Sequence, residues 1–501
     1  MNFLHLPRSS LLRPAFYFFI SFLCVAFYLL AAYSQNGAFG FPLDDAWIHQ
    51  VYARNLGTRF EFSFFAGQPS AGSTSPLWTI FLGIGYAAQI DYRVWTILLG
   101  SVFLAATGMM TQRVTEHLTN DPSSLRASAR LANWFAPLSV ILEWHLVWAA
   151  ASGMEIVLFV FLSLALVESF FAKRNAIFLG LLTGLLVLTR PDGVLFAVLV
   201  GIGILIRNQP RSSRISLISL STFSVALVVL LLPYFIFNFQ TGGTLLPNTF
   251  YAKGAEYAEL TTQTNFFARW LMMYRQPLLG AQVLLVPGIV YAMFCFARMR
   301  AWEKFLPALW IVLLPALYAW RLPVEYQFGR YMMPIIPFMM IYGIVGTKFL
   351  FEKISLRVLR RAWGMTIAVL LSAFVLFGAN FYAQSVAIVN CEMVAVANFT
   401  RENLPQGALI AAHDIGAQGY FDPQHPILDL AGLVSPEVIP FIRDEAKLKT
   451  WMRERGAQYA IFFPTWYPSL ARDELFQEIF STDCAVTRGM GEENLKVYHL
   501  E

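Results

Sequence analysis

The chain has 501 residues, of which 57% are hydrophobic and 13% charged, with a formal net charge of +5. Soluble domains carry nearer 25% charged residues, so this balance excludes a water-soluble enzyme and a disordered chain, and four Cys exclude a disulfide-built scaffold. A mean hydropathy of +0.56, with 45 Phe and 13 Trp, fits an α-helical polytopic membrane protein.

Apolar runs predict eleven transmembrane helices: 15–33, 93–111, 131–151, 155–171, 176–189, 192–207, 215–239, 280–297, 305–320, 331–347 and 363–383. The first reads as an anchor, because no small-residue cleavage site follows it. The stretch 76–90 is apolar but short, and the positive-inside rule decides its place. If it lies in the interface, 18 Lys and Arg fall on cytoplasmic ends and loops, Arg211 among them. Only 9 then fall on the opposite loops before residue 384. The N-terminus is therefore expected in the cytoplasm and the C-terminus outside.

The spans place residues 1–383 in a transmembrane domain and 384–501 in a small extracytoplasmic α/β domain. The tail holds 16 acidic and 9 basic residues, the reverse of the charge balance before it. Strand-like runs at 408–412 and 459–463 alternate with a charged helical run at 440–455. Cys391 and Cys484 face an oxidising compartment, which leaves a bridge or two separate buried thiols.

The polar residues that need explaining gather at the outer ends of the spans. Asp44 and Asp45 follow the first span in Phe41-Pro42-Leu43-Asp44-Asp45-Ala46-Trp47-Ile48-His49-Gln50. Such a pair suits a general base, or a base beside a metal ligand, and Asp44 also suits the cap of a helix starting at Asp45. Asp45 is favoured as the base. Ser73, Thr74 and Ser75 open the interfacial segment, where a helix N-terminus favours an anion. Glu155, in Ser152-Gly153-Met154-Glu155, is an isolated acid at the membrane edge. Glu143 and His145 are weaker candidates on the preceding span. Arg190 and Asp192 stand in a tight outer turn and suit mutual pairing. Lys253 is the only Lys on the outer loops before the tail. Lys253 and Arg330 suit a lipid phosphate, or head-group anchoring. The substrate-binding set read from these runs is His49, Ser73, Thr74, Ser75, Arg190, Asn248 and Tyr251. Acids, hydroxyls and isolated cations above apolar helices are the parts of a reaction on a lipid-phosphate donor.

The ordered set Asp44-Asp45-Ala46-Trp47-Ile48, Ser73-Thr74-Ser75-Pro76-Leu77-Trp78, Ser152-Gly153-Met154-Glu155, Thr189-Arg190-Pro191-Asp192-Gly193, Pro247-Asn248-Thr249-Phe250-Tyr251-Ala252-Lys253 and Gly329-Arg330-Tyr331 resembles the GT-C superfamily of membrane glycosyltransferases. The chain is similar to bacterial arabinofuranosyltransferases, and the tail runs His413-Asp414-Ile415-Gly416-Ala417 and Asp429-Leu430-Ala431-Gly432-Leu433 share the likeness. The resemblance implies a polyprenyl-phosphate sugar donor and a glycan or lipid acceptor, with inversion at the anomeric carbon. It also implies a catalytic base at Asp44 or Asp45, help from Glu155, and a divalent cation (Mg or Mn) on Asp44 and Glu155. Asp in place of Glu155 is common in that superfamily. The setting implied is the bacterial inner membrane, with membrane lipids and no nucleic acid as partners.

Three other readings fit less of the sequence. A lipid-linked oligosaccharide polymerase or ligase usually depends on Arg and His of a large outer loop, whereas acids dominate here. A transporter or flippase predicts inverted repeats and mid-membrane breaks. A glycan receptor leaves Asp44, Asp45 and Glu155 without a role. The tail is expected to position the acceptor and to perform no chemistry.

Overall fold

The computed structural model describes residues 8–119, 126–207, 213–353 and 357–501. Arg211, counted above among the cytoplasmic bases, lies outside the described residues. Helices cover most of each of the eleven expected spans. Among the described residues, seven helices are long and apolar enough to cross a membrane alone: Leu12–Asn36, Tyr92–Thr119, Arg214–Gly242, Ala281–Arg298, Trp302–Arg321, Tyr326–Lys353 and Arg357–Asn403. Ile156–Phe171, Ala176–Thr189 and Val194–Arg207 have 16, 14 and 14 residues. At 1.5 Å per residue they reach only about 21–24 Å.

The expected span 131–151 is broken. Its halves Trp134–Ile141 and Trp144–Ala151 meet at 51°. Glu143 sits at the break and accepts from Leu146 N at 3.1 Å, capping the second half. Its other oxygen meets His145 Nδ1 and Gln282 Nε2, each at 2.7 Å. Glu143 is therefore satisfied by His145, Gln282 and Leu146, while His145 Nε2 is buried without a partner, and neither Glu143 nor His145 shares a cavity with Asp45. A buried carboxylate needs such partners, and the broken helix supplies one of them.

The segment 76–90 forms the helix Pro76–Ala87, whose 12 residues span about 18 Å, too short to cross. It packs along the helix Asp44–Arg59, and Trp78 Nε1 donates to Gly153 O at 2.9 Å. A small antiparallel hairpin, β1 (Ser63–Phe65) and β2 (Gln68–Pro69), lies between the two helices in sequence.

The tail is a five-stranded mixed sheet in the order β4-β3-β5-β7-β6. The strands are β3 (Ile410–Ala412), β4 (Ile427–Asp429), β5 (Tyr459–Phe462), β6 (Phe476–Ser481) and β7 (Lys496–Leu500). β3 runs parallel to β4 and β5, and β7 runs antiparallel to β5 and β6. The charged run forms the helix Glu445–Glu454. Cys391 and Cys484 are bridged, with Cα atoms 5.7 Å apart. Beside the bridge, the buried Glu392 accepts from Thr482 Oγ1, Asn494 Nδ2 and Leu495 N.

No linker separates the tail from the membrane part. Residue 384 falls inside Arg357–Asn403, which passes through a π turn at Asn390–Val394. Ile48, Val51, Tyr52 and Phe64 share one buried cluster with Ile410, Ile427, Leu433, Ile461 and Val497. A chain ending near residue 384 would leave that face bare, so the tail is part of one core with the helix Asp44–Arg59 and the hairpin after it.

Two side chains of Asp44–Arg59 clamp the short helix Gly416–Phe421. Asp44 Oδ2 and Oδ1 accept from Gly416 N and Ala417 N, both at 2.7 Å. Arg54 donates to Tyr420 O at 2.9 Å and Gly419 O at 3.2 Å. An anion at the N-terminal amides and a cation at the C-terminal carbonyls both suit the helix dipole. Gly416 is required because a Cβ there would lie 2.1 Å from Asp44 O. The expected cap is corrected: the helix starts at Asp44, Leu43 is the N-cap, and no side chain caps it.

Burial outweighs the two amide bonds and pushes the Asp44 carboxyl up to about 6, with repulsion from Asp45 adding to it. A carboxyl raised above its unfolded value of about 3.9 binds a proton more tightly when folded. Its contribution to stability grows as pH falls from about 6 towards 4 and is absent at neutral pH. Between pH 7 and pH 5 the wild type should therefore gain roughly 1 kcal/mol relative to Asp44→Asn. Thermal unfolding of both proteins at the two pH values checks this, and a parallel shift in the two would refute it.

Candidate functional site

Asp45 and His49 stand one turn apart on one face of Asp44–Arg59, the face that lines a cavity of about 520 Å³. Asp45 is 29% exposed and is held by two cations. Arg330 Nη2 lies 2.5 Å from Asp45 Oδ2, and Lys253 Nζ lies 3.5 Å from the same oxygen. Tyr331 closes this cluster, its hydroxyl accepting from Lys253 Nζ and from Arg330 Nη2, both at 3.1 Å. Arg330 is buried, and its Nε and Nη1 have no hydrogen-bond partner. Burial alone would raise the Asp45 carboxyl, but Lys253 and Arg330 outweigh it and hold the group well below the usual carboxylate range. Asp45 in turn keeps Lys253 protonated against its own burial.

A second cluster faces the same cavity. Glu155 Oε1 lies 3.5 Å from Arg190 Nη1, and Glu155 Oε2 lies 3.4 Å from His49 Nε2 without the alignment of a hydrogen bond. Arg190 Nε donates to Asp192 Oδ1 at 3.1 Å, and Nη2 donates to Tyr318 OH at 2.8 Å. The expected Arg190–Asp192 pair is therefore present and is tied to Glu155 as well. His49 Nδ1 has no partner.

The same cavity is lined by Val187, Val194, Leu231, Phe235, Leu317 and Trp320. Val194 is 52% exposed and Trp320 66%, so this apolar lining reaches the surface of the helix bundle. Charged and apolar walls share one cavity.

Asp45, His49, Ser73, Thr74, Glu155, Arg190, Lys253 and Arg330 all line this cavity. Four expected residues do not. Asp44, expected as catalytic or as a metal ligand, points to the tail amides instead. Ser75 is buried with its hydroxyl unpartnered. Asn248 donates to Leu433 O at 3.2 Å and so ties its helix to the tail. Tyr251 is 37% exposed and packs edge-on to Phe250. Thr249 and Phe250 line the cavity in place of Asn248 and Tyr251. On a helix starting at Asn248, a shift of one residue turns the side chain by about 100°. Tyr318 and Tyr331 are cavity residues to which the sequence assigns no role, because tyrosine at a span end is the common interfacial anchor.

The divalent cation implied by the resemblance does not fit these donors. Both oxygens of Asp44 take backbone N–H groups, and Glu155 is shared by Arg190 and His49. A dication placed there would face the Arg190 guanidinium across the same carboxylate. Among the described residues, the one close Cys, His, Asp and Glu group is Cys391, Glu392 and Cys484, whose sulfurs are bridged.

A family model described as a domain of unknown function (DUF8728) matches residues 379–498. No curated protein matches the sequence. Solved structures do match the fold. ArnT from Cupriavidus metallidurans bound to undecaprenyl phosphate superposes with a TM-score of 0.58 at 12% identity, covering 95% of this chain and 97% of that one. The Archaeoglobus fulgidus oligosaccharyltransferase in its apo form gives 0.57 at 12%, covering 90% of this chain and 69% of that one. Mycobacterial arabinofuranosyltransferase AftD gives 0.51 at 14%, with 95% of this chain on 41% of AftD. The chain is an integral membrane protein with the GT-C fold.

Proposed function

We propose that the chain is an inverting glycosyltransferase that moves a sugar from a polyprenyl-phosphate donor to a cell-envelope glycan or lipid acceptor. The reaction takes place on the non-cytoplasmic face of the bacterial inner membrane, with the N-terminus in the cytoplasm. The observation that carries this reading is Arg330. It is a buried guanidinium with one nitrogen on Asp45 and two others unpartnered, in a cavity that also has apolar walls. Buried donors of that kind are costly unless an acceptor comes to them. A phosphodiester supplies the acceptor, and its prenyl chain suits the apolar walls. ArnT, of like fold, was solved with undecaprenyl phosphate bound, which supports the reading.

In the proposed step the acceptor oxygen attacks the anomeric carbon from the face opposite the phosphate. The anomeric C–O bond breaks, and its electron pair leaves on polyprenyl phosphate. The phosphate passes from one negative charge towards two as Lys253 and Arg330 stand beside it, so the cations stabilise the transition state more than the ground state. The acceptor proton passes to Asp45. An arriving phosphate competes for both cations and so restores basicity to that carboxylate. Glu155, fixed by His49 and Arg190, lies on the cavity wall where sugar hydroxyls pass.

Three measurements test this reading. In transfer assays with radiolabelled polyprenyl-phosphate sugars, Asp45→Asn should lose at least about 10²-fold in kcat with donor KM nearly unchanged. A wild-type rate in Asp45→Asn would refute the mechanism. Lys253→Ala and Arg330→Ala should each raise donor KM by roughly 10–100-fold, the scale of a charge-assisted contact of about 1.5–3 kcal/mol. Unchanged donor KM in both would return them to head-group anchoring. Reporter fusions after Arg174 and at the C-terminus should read cytoplasmic and external respectively. The opposite result would overturn the sidedness.

A further inference from the structure

The three parallel strands of the tail end together. His413 and Asp414 follow β3, residues 430–434 follow β4, and Phe463 to Tyr467 follow β5. In open α/β sheets the crevice outside the carboxyl ends of the strands is the usual place for a ligand. Here that edge is turned towards the outer-face site. Leu433 lines the cavity itself, and Asp44 holds Gly416 and Ala417 just beyond Asp414.

The edge carries an aromatic surface with polar groups fixed around it. Trp466 is 41% exposed, the one exposed tryptophan of the tail, on a turn after β5. His413 meets it edge-on with ring centroids 4.8 Å apart, and Phe463 backs it at 4.9 Å. His413 Nδ1 is hydrogen-bonded to Tyr467 OH at 2.6 Å, and His413 Nε2 lies 3.6 Å from Glu256 Oε1. The same Glu256 oxygen takes Arg443 Nη2 at 3.3 Å. Glu256 stands one turn beyond Lys253 on Asn248–Glu256, so this group is one helical turn from the donor-site cation. Asp414, beside His413, keeps a buried carboxylate oxygen without a partner. Burial raises that carboxyl, and the nearby charges of Asp44, Asp45 and Glu256 raise it further.

We infer that this crevice is the acceptor-sugar subsite of the transferase proposed above. A furanose or pyranose ring has a C–H face that packs on an indole and hydroxyls that need both donors and acceptors. Trp466 supplies the face. Glu256 and Arg443 supply an acceptor and a donor at its margin, and the free oxygen of Asp414 meets a hydroxyl on the side nearer Asp45.

The test is ligand-observed saturation-transfer NMR on the full chain in nanodiscs. The probes are methyl α-D-mannopyranoside, methyl β-D-galactopyranoside and methyl α-D-arabinofuranoside. At least one should receive saturation, strongest at the C–H protons of one ring face. Affinity should fall about tenfold or more in Trp466→Ala and in Glu256→Gln. It should be retained within about twofold in Trp466→Phe. Absence of binding by all three sugars, or equal binding by wild type and Trp466→Ala, overturns the subsite, as does equal loss in Trp466→Phe and Trp466→Ala. Saturation transfer needs no turnover, so the two readings fail separately. Sugar binding that depends on Trp466 in a chain without transferase activity leaves the subsite standing. Transferase activity with binding indifferent to Trp466 leaves only the transferase standing.

Discussion

Consecutive residues of an α-helix point about 100° apart, and at Asp44 and Asp45 that angle divides the protein's two tasks. Asp44 turns outward and holds the amides of Gly416 and Ala417. Asp45 turns inward to Arg330 and Lys253. The helix that carries them is thus a wall of the cavity and a floor for the tail sheet. Ile48, Val51 and Tyr52 bury themselves against the sheet on one face, while His49 faces Glu155 on the other. A shift of this helix moves the tail and the carboxylate of the cavity together.

The cavity also follows a charge rule. Each acid that lines it stands beside a cation, Asp45 with Arg330 and Lys253, Glu155 and Asp192 with Arg190. Buried charges left alone are far costlier than buried pairs, so the arrangement is stable without substrate. Arg330 still keeps two donors in hand. An incoming anion then satisfies a group the fold has left short, while the pairing that neutralises Asp45 becomes negotiable. The break in the helix at Glu143 obeys the same rule in reverse. All partners of that carboxylate come from within the fold.

The tail extends this logic outside the membrane part. Its disulfide and the buried Glu392 fix the sheet to the long helix Arg357–Asn403. Asn248 and Arg54 tie it to two further helices. The carboxyl ends of its parallel strands are thereby held over the site, and the sheet can offer His413, Asp414 and Trp466 to whatever approaches Asp45.

Composition and apolar run lengths alone determine a polytopic helical protein with a mixed tail, because a lipid setting permits few alternatives. They also mark Asp45, Glu155, Lys253 and Arg330, since isolated charges at span ends stand out against an apolar background. Direction is another matter. Asp44 and Asp45 are chemically alike, as are the neighbours Asn248 and Thr249 in their polarity, and only the helix axis and what packs on each side assign one to the cavity and the other to the tail. The length test likewise cannot see that 131–151 breaks at Glu143, because the break is stabilised by Gln282 from a distant helix. Residue 384 looks like a boundary because charge changes there, yet the helix runs on and the tail shares its core with residues 48–64. Tyr331 shows the same limit. Its hydroxyl matters only because Lys253 and Arg330 converge on it, and convergence of residues far apart in the chain is a property of the packed structure alone.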